Sequence, residues 1–506
     1  MTRASLLSAV LLLSAGSGAA QTATFPANNA VNVNPDTHLV LTFSTAPTVG
    51  NSGQVRIYDA SGHRLVDTLD LSIPAGPDPN KRIANPPAGP TLDPSIPTSP
   101  TTTTPAVRMW PADLHNYQLT TIGGLPDFHF YPVIVHGSVA TIYPHNHVLA
   151  YDHRYTVEID PGVLTRGSGV FAGFTAEHPW RFTTKRRPPA ANATRVVVSA
   201  DGTGDFNTVQ GAADFVPDNP PQRVTIFIRN GTYEEIVFFQ HKANLTFRGE
   251  DREKVQIGYG NNSSFNPPTP GPNHRCAFSA YESTGIEFLN FSVTNYYYGQ
   301  AEGLLISGSK NIVSHVTVKG SGDALNLRGS VYLADSTIIG DGDTILGVGP
   351  AFFLRCDLRS VGPFMWIRNT EANHGNVFVD CSFTAIERNR PPDTPPATGP
   401  FRPSAVFARL PNNRGRNYPY AEAVLIDCRL TGIPPEGWGP IADDTSHIHF
   451  WEFHSTDTAG HPIDVTKRHS VSRQLTEPQD AQTIANYKNP AFVLDGWSPV
   501  VANRLP

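Results

Sequence analysis

From residue 286 onward, short runs of alternating aliphatic and polar residues recur with one pattern. IEFLNFSV, NIVSHVTV, VYLADSTI, FFLRCDL, VFVDCSF and VLIDCRL align on a single slot. The slot follows a polar or charged residue, and an aliphatic residue or Phe stands two positions beyond it. The slot residues are Phe291, Val316, Ser336, Cys356, Cys381 and Cys428, at spacings of 25, 20, 20, 25 and 47 residues. Alternation of period two predicts strands. One strand pattern returning every 20–25 residues predicts a solenoid. Its simplest form is a right-handed parallel β-helix, in which each coil adds a rung and equivalent residues stack about 4.8 Å apart. Leucine-rich repeats share the period but need a Leu/Asn consensus that is lacking here. The last gap holds a Pro-rich insertion near 391–403 and is about two turns long.

The chain before the repeat has a different rhythm. HLVLTFS, QVRIYDA, YTVEID and PWRFTT read as short strands with turn residues between them, the pattern of a β-sandwich over residues 22–184. A Pro/Thr-rich insertion, roughly 74–106, interrupts them, and KRRPPAANAT (185–194) reads as a linker. The FPANNAVNVNPDTHLVLTFS opening resembles that of bacterial Ig-like modules. The expected fold class is therefore all-β: an Ig-like β-sandwich, then a right-handed parallel β-helix over 195–506.

Composition adds a compartment and removes some partners. Residues 1–20 read as a signal peptide, with Arg3, the apolar run LLSAVLLL and a small-residue cleavage site at Gly18-Ala19-Ala20. A secreted or periplasmic protein is expected, with no membrane span, because no apolar stretch is long enough. The net charge of −6 over 506 residues, without a basic run, argues against a nucleic-acid partner. Proline (46) and glycine (42) are abundant and charged residues make up only 16%, which suits turn-rich β structure. Cys356, Cys381 and Cys428 fall on the slot, so an inward-facing stack of free thiols is expected; a disulfide between neighbouring rungs is the alternative.

The register of the repeat selects the candidate chemistry. Asp323 lies seven residues after the slot at Val316, and Asp343 seven after Ser336. Both should leave the same edge of consecutive coils, side by side. The same count places Tyr298 one coil earlier and leaves Asp341, which faces Ser321, as a turn residue. Two carboxylates about 5 Å apart cannot both ionise freely, so one becomes an acid beside a base or nucleophile. Solvated turn aspartates are the competing reading. A calcium loop is disfavoured, because the calcium-binding nonapeptide needs tandem copies and the EF-hand pattern is absent. No His/Cys/carboxylate cluster has metal spacing, and His374 reads as a turn residue.

Several motifs, in order along 195–500, make the chain resemble a pectin methylesterase of the parallel β-helix type. They are VVVSADGTGDFNTVQGAADFVP, in which a strand leads into a short end-covering helix, GTYEE, GQAEGLLI, GDALNL, GDGDTILG and a closing GW…FWEFHSTDTAG…SRQLTEPQDAQTI run. The resemblance implies that Asp343 is the nucleophile, Asp323 the general acid and Gln300 a substrate-facing glutamine. VFARLP stands where the family has LGRPW, which makes Arg409 the arginine that keeps the nucleophile ionised, with Arg414 and Arg416 as rivals. The family's glutamine before the acid, an oxyanion donor, is Gly322 here. Trp366 and Arg368 alternate and share a face, so the tryptophan could stack on a sugar and the arginine hold a galacturonate carboxylate; packing on the solenoid is the plainer reading. The YYYG run (296–299) could wall a cleft, with Tyr298 on the substrate. The implied protein is an exported monomer that acts on pectin or a related galacturonate polysaccharide, with no cofactor. A glycoside hydrolase using the same carboxylates and a glycan-binding solenoid with eroded catalytic equipment are the alternatives.

Overall fold

The computed structural model describes residues 23–80, 116–166, 169–267, 272, 274–387, 405–411, 418–442 and 444–500. The signal-peptide reading, most of the 74–106 insertion, the 391–403 insertion, Arg414 and Arg416 lie outside the described residues. No helix among the described residues is long and apolar enough to cross a membrane.

In the first part, two sheets face each other across one core. One orders the strands Ala23–Phe25, Leu39–Thr42, Val139–Ile142 and Val133–His136; the other contains Gln54–Asp59, Arg154–Ile159 and Trp180–Thr184. Their inward positions, Leu39, Leu41 and Ile142 from one and Ile57, Val157 and Trp180 from the other, fill a shared apolar cluster. This is the alternation that HLVLTFS and YTVEID predicted.

The second part is a parallel β-helix. Three sheets of parallel strands run its length, of eleven, eight and seven strands among the described residues. Glu287–Leu289, Asn311–Ser314, Val331–Ala334, Ala351–Leu354, Asn376–Val379 and Glu422–Ile426 are successive rungs of the longest sheet, and their pairing reproduces the sequence spacings. The polar residue before each slot now has a physical reason. Asn290, His315, Asp335, Arg355, Asp380 and Asp427 all adopt left-handed backbone, with φ between 50° and 62°. Each turns the chain from the longest sheet into the eight-stranded one, and a short polar side chain tolerates that conformation best. The final spacing is a correction to the two-turn length: Asn376–Val379 pairs directly with Glu422–Ile426, so its 47 residues make a single coil swollen by the insertion. Earlier rungs stand at Arg195–Val198, Val224–Ile228 and Leu245–Gly249, ahead of the aligned ones.

Cys356, Cys381 and Cys428 are buried and free, stacked along the core as the slot required. A short helix, α1 (Val209–Phe215), packs against the first rungs and covers the end of the solenoid. The backbone N–H groups just before and at its start are satisfied from two directions. Asp36 of the sandwich accepts from Asn207 N and Thr208 N at 2.9 and 2.8 Å, while Glu235 of GTYEE accepts from Val209 N and Gln210 N at 2.8 and 2.9 Å. Caps of this kind replace water at the orphan donors of a helix start. At the other end, Glu422 lies 2.9 Å from His374 Nδ1, 2.9 Å from His449 Nδ1 and 2.7 Å from the Tyr487 hydroxyl. His374 therefore helps to fasten the C-terminal helix Ala481–Lys488 to the solenoid.

Candidate active site

Asp323 and Asp343 each stand two residues before a strand of the seven-stranded sheet, Leu325–Arg328 and Ile345–Gly347. These strands pair with Leu325 opposite Ile345, so the aspartates occupy equivalent positions on adjacent coils. Asp323 N donates to Gly342 O at 3.2 Å, which ties the two turns together. Both aspartates have left-handed backbone, φ 71° and 46°, as residues leaving a tight corner do. Asp341 is buried and accepts a 3.4 Å hydrogen bond from the Ser321 hydroxyl, so its turn role includes tying the coil edge.

The two carboxylates meet different partners. Arg409 reaches Asp343 with both prongs, Nε to Oδ1 and Nη2 to Oδ2, from the short strand Ala408–Arg409. A forked guanidinium favours the ionised carboxylate. Asp323 is buried, and burial pushes its carboxyl up to about 7. Arg275 and Arg368 oppose that rise, whereas the neighbouring charges of Glu302 and Asp343 add to it. This turn edge thus sets a carboxylate forked by an arginine beside a buried carboxyl that is raised toward neutral pH.

Trp366 lies across the paired strand, opposite Arg409 in register. The guanidinium of Arg409 sits 5.0 Å from its ring centroid and that of Arg368 5.1 Å. Trp366 and Arg368 thus do share a face, and cation–π contact to both arginines fixes the indole at the edge of the carboxylate pair. The ring is partly buried against the solenoid core and meets Tyr418 edge-on, so it packs as well as lines.

The count that placed Tyr298 one coil before Asp323 is corrected by the strand register. Leu304 pairs with Leu325, so the residue equivalent to Asp323 is Glu302. The turn after Ser292–Asn295 is four residues longer than the next one, and a count from the slot lands inside it. Tyr298 and Gln300 belong to that longer turn, with Tyr298 half-buried and the Gln300 side chain exposed. The turn is held by Asn262 Nδ2, which donates to Tyr298 O at 2.9 Å and to Pro79 O of the sandwich at 3.0 Å. Tyr297 donates to the Tyr131 hydroxyl at 2.6 Å, so one tyrosine of the run is spent on packing the two parts together.

Arg275 and Glu302 are the site residues that sequence reasoning missed. Arg275 donates to Glu302 from Nε at 2.9 and 2.7 Å and from Nη2 at 2.5 Å, and its Nη2 also reaches Asp323 Oδ2 at 3.1 Å. Among the described residues no group of three or more His, Cys, Asp and Glu side chains could hold a metal ion.

Residues 195–390 match the family model described as Pectinesterase. Over those residues the β-helix is similar to the pectinesterase family. A probable pectinesterase/pectinesterase inhibitor of Arabidopsis thaliana is 26% identical over 322 residues, covering 62% of this chain and 58% of its own length. The Arabidopsis thaliana pectinesterase QRT1 is 35% identical over 186 residues, 34% of this chain and 49% of that one. A solved pectin methylesterase from carrot is 20% identical and superposes with a TM-score of 0.48, covering 60% of this chain and 93% of that one. The chain spans about 58–65% of the length of the curated relatives first matched.

Within this β-helix the glycine before Asp323 has a structural cause. Gly322 has φ 52°, and a Cβ there would stand 2.5 Å from Gly299 O. The turn that carries Tyr298 and Gln300 closes over the position where the family has its glutamine. Restoring that side chain should therefore cost stability. Gly322→Gln is expected to lower it by about 1–3 kcal/mol, from left-handed strain and the backbone clash. A thermal melt checks this, and a variant as stable as wild type would contradict it.

Proposed function

We propose that the protein is an exported carbohydrate esterase that removes methyl groups from galacturonate methyl esters in pectin. The observation that carries this reading is the divided pair: Asp343 forked by Arg409, beside a buried Asp323 whose carboxyl is raised to about 7. In this proposal Asp343 attacks the ester carbonyl carbon, and the electron pair moves onto the carbonyl oxygen. Collapse of that adduct expels the methoxy oxygen, which takes the proton of Asp323 and leaves as methanol. The product is an anhydride between Asp343 and the galacturonate carboxyl. Asp323, now ionised, removes a proton from water, which attacks the galacturonyl carbon of the anhydride. The acid is released, the Asp343 carboxylate returns and Asp323 is protonated again, as microscopic reversibility requires. Arg409 keeps Asp343 anionic through the cycle. Gln300 at the rim donates to the developing oxyanion, and Tyr298, Trp366 and Arg368 bind the polymer.

The domain division fits this reading, with a sandwich over 22–184, a linker over 185–194 and the esterase over 195–506. Two neighbouring folds are pectin methylesterases in complex with hexasaccharides, which supports a sugar polymer as ligand here. The deciding experiment is methanol release from highly methylated pectin across pH 4–9, with reducing ends from polygalacturonate measured in parallel. Methanol without new reducing ends is expected. New reducing ends without methanol would replace this reading with a glycosidase, and neither product would leave a glycan-binding solenoid.

A further inference from the structure

The strand register brings a third carboxylate into line. Glu302, Asp323 and Asp343 stand two residues before Leu304, Leu325 and Ile345, which pair in succession along one sheet. Glu302 is fully buried, at 0% exposure, so its charge is not dissipated into water. Its oxygens receive Nε and Nη2 of Arg275 and, at 3.3 Å, Asn326 Nδ2. The same Arg275 Nη2 is 3.1 Å from Asp323 Oδ2. Arg275 therefore presents its forked face to Glu302 and an outer N–H to the proposed acid.

We propose that Glu302 is a positioning residue for the ester hydrolysis: by occupying the fork of Arg275 and offsetting its charge, it keeps that arginine from ionising Asp323. The contrast with Arg409 is internal to the site. A forked arginine favours the ionised form of the carboxylate it grips, so a fork on Asp323 would remove the proton needed by the leaving methoxide. Glu302 diverts the fork one coil away while Arg275 still orients Asp323 through the Nη2 contact. Asp323 also faces Asp343 and Arg368, and neither of these charges is altered by a substitution at Glu302. This role rests on the esterase reading above.

The test is the pH profile of methanol release by the full chain carrying Glu302→Gln, which keeps the shape and removes the charge. The limb that falls as Asp323 loses its proton should move down by about one pH unit or more, so release at pH 7 drops at least about fivefold and recovers on acidification. The double variant Glu302→Gln/Arg275→Met removes both charges and should return the limb to the wild-type position or above it. Glu302→Asp, which keeps the charge, should leave the limb nearer wild type than Glu302→Gln does. Uniform loss at every pH, with the limb unmoved, would reduce Glu302 to a structural anchor and overturn the proposal. If wild type releases no methanol, the esterase reading fails by itself. The pH dependence of the melting temperature then still reports whether Glu302→Gln shifts the Asp323 titration, and an unchanged curve would overturn the positioning role separately.

Discussion

Asp343→Asn is expected to lower methanol release from methylated pectin by about 10⁴–10⁶-fold while leaving a folded protein. The amide has no anionic oxygen to attack the ester, and no other carboxylate in the row can take its place. Glu302 is enclosed by Arg275 and Asn326. Asp323 is raised to about 7 and has the opposite task of carrying a proton. Asparagine accepts the φ of 46° at this corner as readily as aspartate, so backbone strain does not confuse the result. Arg409 keeps one acceptor and faces an amide N–H in place of the other, which should cost a modest amount of stability. Single-turnover release with a circular dichroism spectrum of wild-type shape would isolate the chemical loss. A folded variant within tenfold of wild type would remove Asp343 from the reaction.

Asp323→Asn should separate stability from activity in opposite directions. Without a proton donor to the leaving methoxide, the rate is expected to fall by about 10²–10⁴-fold. Stability should rise, and only in part of the pH range. The folded carboxyl, raised from 3.8 to about 7, binds its proton more tightly than the unfolded chain does. Its stabilising contribution is therefore complete below about pH 4 and is lost as pH climbs through 7. That loss is at most ~4 kcal/mol at alkaline pH, reduced by whatever the neighbouring arginines regain. Asparagine never acquires the charge, so at pH 8 the variant should be about 1–3 kcal/mol more stable, a few degrees in melting temperature. Near pH 4 the two proteins should melt together. A variant less stable than wild type at pH 8 would show that Asp323 is not held against its own ionisation.

The repeat was legible because a solenoid writes each coil in the same letters. The slot residues gave the rungs from Phe291 to Cys428, and the polar residue before each slot proved to be the left-handed corner. That register was enough to bring Asp323 beside Asp343. It failed one coil earlier, at Tyr298, because the count ran across a turn whose length varies. Counting back from the following strand is safer. EGLLI, DALNL and DTILG share an acid two residues before an aliphatic one, and that alignment exposes Glu302. Arg275 left no such trace. It lies before the strand Phe278–Tyr281 and reaches Glu302 across space, an approach that no periodicity encodes. The sandwich was visible as alternating strands, but its grip on the turn of Tyr297 and Tyr298 joins residues more than a hundred positions apart and has no local signature.

The Asp36 anchor on Asn207 and Thr208, just ahead of α1, has a consequence for assembly. A stack of parallel strands ends in an open rim of backbone donors and acceptors, the template on which another chain could add itself. The helix is the stopper for that rim, and the sandwich, synthesised first, supplies a carboxylate that holds the stopper in place. Loss of Asp36 would then be felt less at the carboxylate row than in the test tube, as filaments or precipitate from molecules joining end to end.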